Sequence, residues 1–180
     1  MLVKEFSRKL NLIKNDLIKN RPNETFLITK EALALIRRRI QNEGKDAAGA
    51  QLGDYSTNEL PAFFFFGKSA NAAGEAKVRK AAKEGEGVSY KELRQFNNRP
   101  TDKVDLTFTG AMWREMDVTI IGNTTTESTA EITPRTERSK KVAAYNSKRY
   151  GDILRLSKDE RRMLRLANLA RVQKSIRKFL

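Results

Sequence analysis

The chain has 180 residues, of which 39% are hydrophobic, with a mean hydropathy of -0.63 and a formal net charge of +14. That length can bury a core, and the longest strongly apolar run, Ala62 to Phe66, falls far short of the roughly 20 residues that span a bilayer. The sequence contains neither Cys nor His, which excludes disulfides, thiol nucleophiles, Cys/His zinc sites and imidazole bases.

Other routes to catalysis also lack a pattern. There is no spaced carboxylate pair, phosphate loop or dinucleotide fingerprint, so neither enzymatic activity nor a cofactor is expected. Charges threaded through MLVKEFSRKLNLIKNDL do not fit a secretory signal, and a cytoplasmic origin with no membrane partner is expected. From Arg138 to Leu180, fourteen Lys and Arg stand against Asp152, Asp159 and Glu160, about +11 of the total charge. The basicity is therefore a C-terminal property.

In chain order, Leu2, Phe6, Leu10, Ile13 and Leu17 recur at spacings of three and four, the mark of an amphipathic helix. Arg21-Pro22-Asn23 is expected to break it. Thr29 would then cap a second helix to about Asn42, with Glu31 in the first turn, Arg37, Arg38 and Arg39 toward the last, and Gly44 as the stop. Leu33, Ile36 and Ile40 form its apolar stripe. Residues 46–56, DAAGAQLGDYS, read as a loop anchored by Tyr55. PAFFFF reads as a buried strand or as a patch for a partner, and burial is the more ordinary fate of Phe. Residues 67–87, with Val78 as the sole large aliphatic side chain, read as an exposed, mobile insertion carrying a marginal helix around 75–83.

VSYKELRQF reads as a short helix capped by Ser89 and closed at Asn97-Asn98-Arg99-Pro100, with Tyr90, Leu93 and Phe96 inward. Val104, Leu106 and Phe108 alternate with polar residues, the period of a half-buried strand. It leads into the stretch DLTFTGAMWREM. There Thr109 is suited to cap a helical turn and Gly110 to adopt an unusual φ, making a backbone corner. Trp113 would project from that corner into the core or toward another subunit. Val118 to Ile132 reads as an antiparallel hairpin turning at Gly122-Asn123. Ser139 to Tyr150 reads as a helix stopped by Gly151. Ser157, with Glu160 at the capping-box position, opens the last helix. Along it Met163, Leu166, Leu169, Val172, Ile176 and Phe179 are expected to form one interface stripe. Arg161, Arg162, Arg165, Arg171, Lys174, Arg177 and Lys178 form the opposite face, either solvated or turned to a polyanion.

The expected fold is α+β: a small antiparallel or mixed sheet packed with several helices and a long amphipathic basic C-terminal helix. The expected division is 1–156, carrying the insertion at about 67–87, and 157–180.

The succession GAQLGDYS, VSYKELR, VDLTFTGAMWREMDV and KKVAAYNSKRYGDILRLSKDE resembles tail-completion and neck proteins of tailed phages. It is most like a set found in phages of Bacteroidota and is distantly similar to the Mu-type virion morphogenesis family. Leu106, Thr107, Gly110, Met112, Asn146, Leu156, Ser157 and Glu160 carry the resemblance, which covers about residues 36–165. It implies a non-enzymatic virion protein forming a homo-oligomeric ring that joins or completes the head–tail connection. Portal, neck or tail proteins would be its neighbours. The alternative is a nucleic-acid-binding protein that uses the basic terminal helix. The two overlap, because a neck ring surrounds a DNA channel. A nuclease built on Asp102, Lys103 and Asp105 is a third reading, but that spacing is not a recognised metal site.

Overall fold

One helix, α1 (Val3–Arg38), opens the structure, a computed structural model that describes residues 3–179. Leu2, the first member of the expected N-terminal stripe, lies outside the described residues. The break expected at Pro22 does not occur: α1 runs through it. An internal proline removes one donor and crowds the preceding turn at a cost of about 3 kcal/mol, so tertiary contacts must hold the helix on both sides. Asp16 accepts from the Ser175 hydroxyl before Pro22, and Glu31 accepts from Arg171 after it. Beside it, Arg21 Nη1 reaches the Thr124 carbonyl at 3.2 Å. Thr29 is consequently not a cap. It sits within the helix, and its Oγ1 donates to the Thr25 carbonyl at 2.8 Å.

α1 passes into a π-helical turn, Arg39–Glu43, and stops at Gly44, whose φ of 65° suits glycine. Ile36 and Ile40 are fully buried, with Leu33 packed against them. After the loop, β1 (Glu59–Pro61) pairs antiparallel with β2 (Gly87–Ser89). The PAFFFF run is not a strand but a 3-10 turn over Ala62–Phe65. Phe65 is buried, while Phe63, Phe64 and Phe66 face outward.

The segment 67–87 is not an exposed excursion. It holds α2 (Ala72–Glu84), capped by Asn71 at the start and by Gly85 at the end. Val78 is fully buried and Ala81 nearly so, both in a core with Ala62, Phe65, Val88 and Leu93. A stripe of one Val and several Ala suffices here because small side chains let α2 approach its neighbours closely. At Gly74 an added Cβ would lie 2.3 Å from Asn97 Oδ1.

Ser89 caps α3 (Tyr90–Phe96) in a full capping box with Glu92. The strand expected at Val104–Phe108 is absent: the backbone there is irregular, and Leu106 has a φ of 51°. Then come α4 (Ala111–Arg114), β3 (Met116–Asn123) and β4 (Ser128–Pro134), an antiparallel hairpin with an irregularity between Ile120 and Gly122. Its turn is at 124–127, not at Gly122-Asn123, because Thr124 Oγ1 accepts from Glu127 N at 3.0 Å and closes it there. α5 (Glu137–Tyr150) begins two residues before Ser139, capped by Thr136, and meets Gly151. α6 (Lys158–Arg177) starts from the Ser157/Glu160 capping box.

The fold is α+β, with two two-stranded antiparallel sheets and a C-terminal helix. A larger core joins Ile36 and Ile40 to Tyr55, Val104, Met112, Trp113, Ala143 and Ile153. Tyr90 packs against both cores. The hairpin and α6 both lie along α1. α6 runs antiparallel to it, since Glu160 meets Arg39 and Ser175 meets Asp16.

Candidate assembly surface

The 105–116 corner is built by side chains that replace a strand ladder. Asp105 Oδ1 accepts from the Tyr55 hydroxyl at 2.8 Å and from Thr107 N at 2.7 Å. The Asp105 N–H donates to the Tyr55 oxygen at 3.0 Å, and Arg94 Nη1 donates to the Thr107 carbonyl at 2.8 Å. With its backbone groups satisfied locally, the segment has no need of a neighbouring strand. Arg94 also lies over the Tyr55 ring, 4.1 Å from the centroid. Burial pushes the Tyr55 hydroxyl well above its ordinary range.

Gly110, not Thr109, occupies the cap position of α4, at a φ of 76°. The Thr109 hydroxyl accepts from Ala111 N at 3.3 Å. Trp113 turns inward and is 2% exposed, so it anchors the core and offers no surface to another subunit. Asn146 Nδ2 donates to Met112 Sδ at 3.4 Å, fastening α5 to the corner. Glu115 receives the hydroxyls of Ser139 and Thr136, which hold its carboxyl below the usual range. Between the corner and α5 lies a cleft of about 470 Å³ with Lys68, Arg138 and Arg149 around Tyr90, Tyr145 and Tyr150. Among the described residues its walls carry no carboxylate, so it presents a positive aromatic surface.

The terminal helix differs from the expected stripe. Steps of three residues fall about 60° short of a full turn, so Met163, Leu166, Leu169 and Val172 wind about halfway round α6. Glu160, Leu164, Arg171 and Ser175 face α1 and its end, and of the expected stripe Met163 and Val172 edge the grooves beside it. Met163, Leu166 and Leu169 are 50%, 57% and 52% exposed, while Val172, Ile176 and Phe179 are half-buried. A groove of about 380 Å³ between the helices, lined by Ala34, Leu35, Met163, Leu164 and Ala167 with Glu31 and Arg38 at its rim, adjoins that exposed side.

The basic residues divide in the same way. Arg171 is not turned to a polyanion: it pairs with Glu31 and Glu24 of α1. Arg161, Arg162, Arg165, Lys174, Arg177 and Lys178 are exposed, but they are distributed around the helix rather than along one face.

Two structural arginines escape sequence reading. Arg39, expected toward the last turn of a helix, is buried: it donates to Glu160 Oε1 at 2.9 Å and to the carbonyls of Lys45 and Arg155. Arg94, in a short helix otherwise read for its apolar positions, is 1% exposed. For Arg39, the stripe Ile36–Ile40 was the available signal, since residue 39 lies beside it. Among the described residues no group of three or more acidic side chains could hold a metal ion, and no helix is long and apolar enough to cross a membrane. Comparison with protein-family models, with curated proteins and with solved structures finds no match to the chain.

Proposed function

We propose that the chain is a non-enzymatic structural subunit of a phage virion, forming a homo-oligomeric ring in the neck or tail that joins or completes the head–tail connection. The observation that supports self-association is the Met163–Leu166–Leu169 side of α6. Three large apolar side chains stand half in solvent on a helix whose other side is already occupied by α1. Such a patch is costly to leave wet and is ordinary in an assembly interface. The virion setting comes from the resemblance alone, with portal, neck or tail proteins as neighbours and assembly in the host cytoplasm. Native mass measurement of the purified chain, followed by negative-stain imaging for rings, tests the reading.

The exposed Arg161, Arg162, Arg165, Lys174, Arg177 and Lys178 support a second reading, in which the helix meets nucleic acid. In the ring these charges would approach DNA in the channel. Affinity for a DNA duplex should then fall with salt, with a slope near one for each phosphate neutralised.

A further inference from the structure

The last hydrogen bond from α6 to α1 joins Ser175 to Asp16, and nearby Val172 and Leu17 line one shared groove. α1 continues beyond Asp16 for more than three turns, about 20 Å at 1.5 Å per residue. The stripe that α6 begins to cover does not stop there. Phe6, Leu10, Ile13 and Leu17 follow one another at spacings of four, three and four, with Val3 ahead of them. That is the alternation of a seam between two packed helices. Ile13 and Leu17 are half-buried, whereas Leu10 is 50% exposed, Phe6 61% and Val3 83%.

The charge around this end is one-sided. Lys4, Arg8 and Lys14 of α1, Lys174 and Arg177 of α6 and Lys178 at its C-cap are all exposed, and none is paired with a carboxylate among the described residues. Glu5, Asp16 and Glu24 are the nearby acids; Asp16 is held by Ser175 and Asn20, and Glu24, in the groove with Lys174 and Lys178, pairs with Arg171. We propose that the N-terminal turns of α1 dock an acidic amphipathic helix of a partner protein, seated on Phe6, Leu10 and Ile13 as a continuation of the α1–α6 seam.

The spacing selects a helix, because alternating steps of three and four match another helix's knobs and holes. The cations select acidic flanks for that helix. A second copy of this same end would bring six cations against six and is repelled. A lipid surface would ask for a broad apolar face, and here Ser7, Lys14 and Asn11 border a narrow seam. The inference stands on α1 and the end of α6 and does not depend on the virion reading.

The test uses the full chain and a fluorescent four-heptad synthetic helix with leucine at the seam positions and glutamate beside them. Anisotropy should show binding that weakens with added salt. Phe6→Asp and Leu10→Asp should each weaken it roughly tenfold or more, with the circular dichroism and Tm of the chain unchanged. Met163→Glu, on the opposite edge, should leave it alone, which separates this site from the proposed ring interface. The proposal is overturned if the helix does not bind, if a lysine-flanked version binds equally well, or if Phe6→Asp has no effect. It is also overturned if phosphatidylserine vesicles are bound through Phe6 in place of the peptide, or if Phe6→Asp abolishes self-association of the chain alone.

Discussion

Both carboxylate oxygens of Asp105 accept from a single nitrogen of Arg94, Nη2, at 3.0 Å each. The pair is buried, and its side chains also meet Tyr55, Thr107 and the Pro100 carbonyl. Removing one partner strands the other charge. Asp105→Ala should therefore cost about 3–5 kcal/mol, and Tyr55→Phe, which deletes a donor to Asp105 and an acceptor from its N–H, about 1–3 kcal/mol. Urea denaturation measures both; an Asp105→Ala chain as stable as the parent would show that the network is not what holds the corner.

The same network sets an alkaline limit. Burial raises the hydroxyls of Tyr55, Tyr90 and Tyr150 above the ordinary value of 10.0. In the unfolded chain these tyrosines ionise near that pH while the folded ones keep their protons, so the unfolded state binds fewer protons there. Stability is complete below about pH 10 and falls as pH rises past it. Denaturation at pH 8, 10 and 11 should show that fall, and Tyr55→Phe should make it shallower. Equal slopes in the two proteins would contradict the burial of Tyr55.

Helix α2 should be required for folding. Val78→Ala should cost about 2 kcal/mol, and replacing 67–87 with a Gly/Ser linker should abolish the smaller core. Gly74→Ala is the sharper check. Alanine favours a helix interior by about 1 kcal/mol over glycine, yet here its methyl would collide with Asn97, a buried side chain that binds Ala70 N at 2.7 Å and the Leu93 carbonyl at 2.7 Å. A lower Tm is expected, and a higher one would show that α2 stands off from α3.

On α6, charge reversal should separate internal from external cations. Arg171→Glu places a third carboxylate beside Glu24 and Glu31 and should lower stability by roughly 1 kcal/mol. Lys174→Glu and Lys178→Glu should leave the Tm within error. If all three behave alike, Arg171 is not a tie between the helices.

What the sequence showed best was local chemistry. Ser89 with Glu92 and Ser157 with Glu160 mark two helix starts, and both capping boxes form, because the partners lie three residues apart. Ile36 and Ile40, four residues apart on one side of a helix, mark a core. Several misreadings involve distant partners. Pro22 is carried through α1 by Arg21, Asp16 and Glu31, whose partners lie more than 100 residues away. Alternation at 104–108 suggested a strand, but Arg94 and Tyr55 bind the backbone in its place. Val78 looked too solitary for a core until Phe65, Val88 and Leu93 surrounded it. The α6 stripe failed on geometry alone, since repeated steps of three do not stay on one side of a 3.6-residue helix.

We propose that the exposed edge of α6 joins copies of this chain. Native mass spectrometry of the full protein measures it most directly. A single closed oligomer is expected, one that Met163→Glu and Leu166→Glu convert to folded monomer. A chain that remains monomeric across micromolar to millimolar concentration, or an oligomer indifferent to both substitutions, contradicts it.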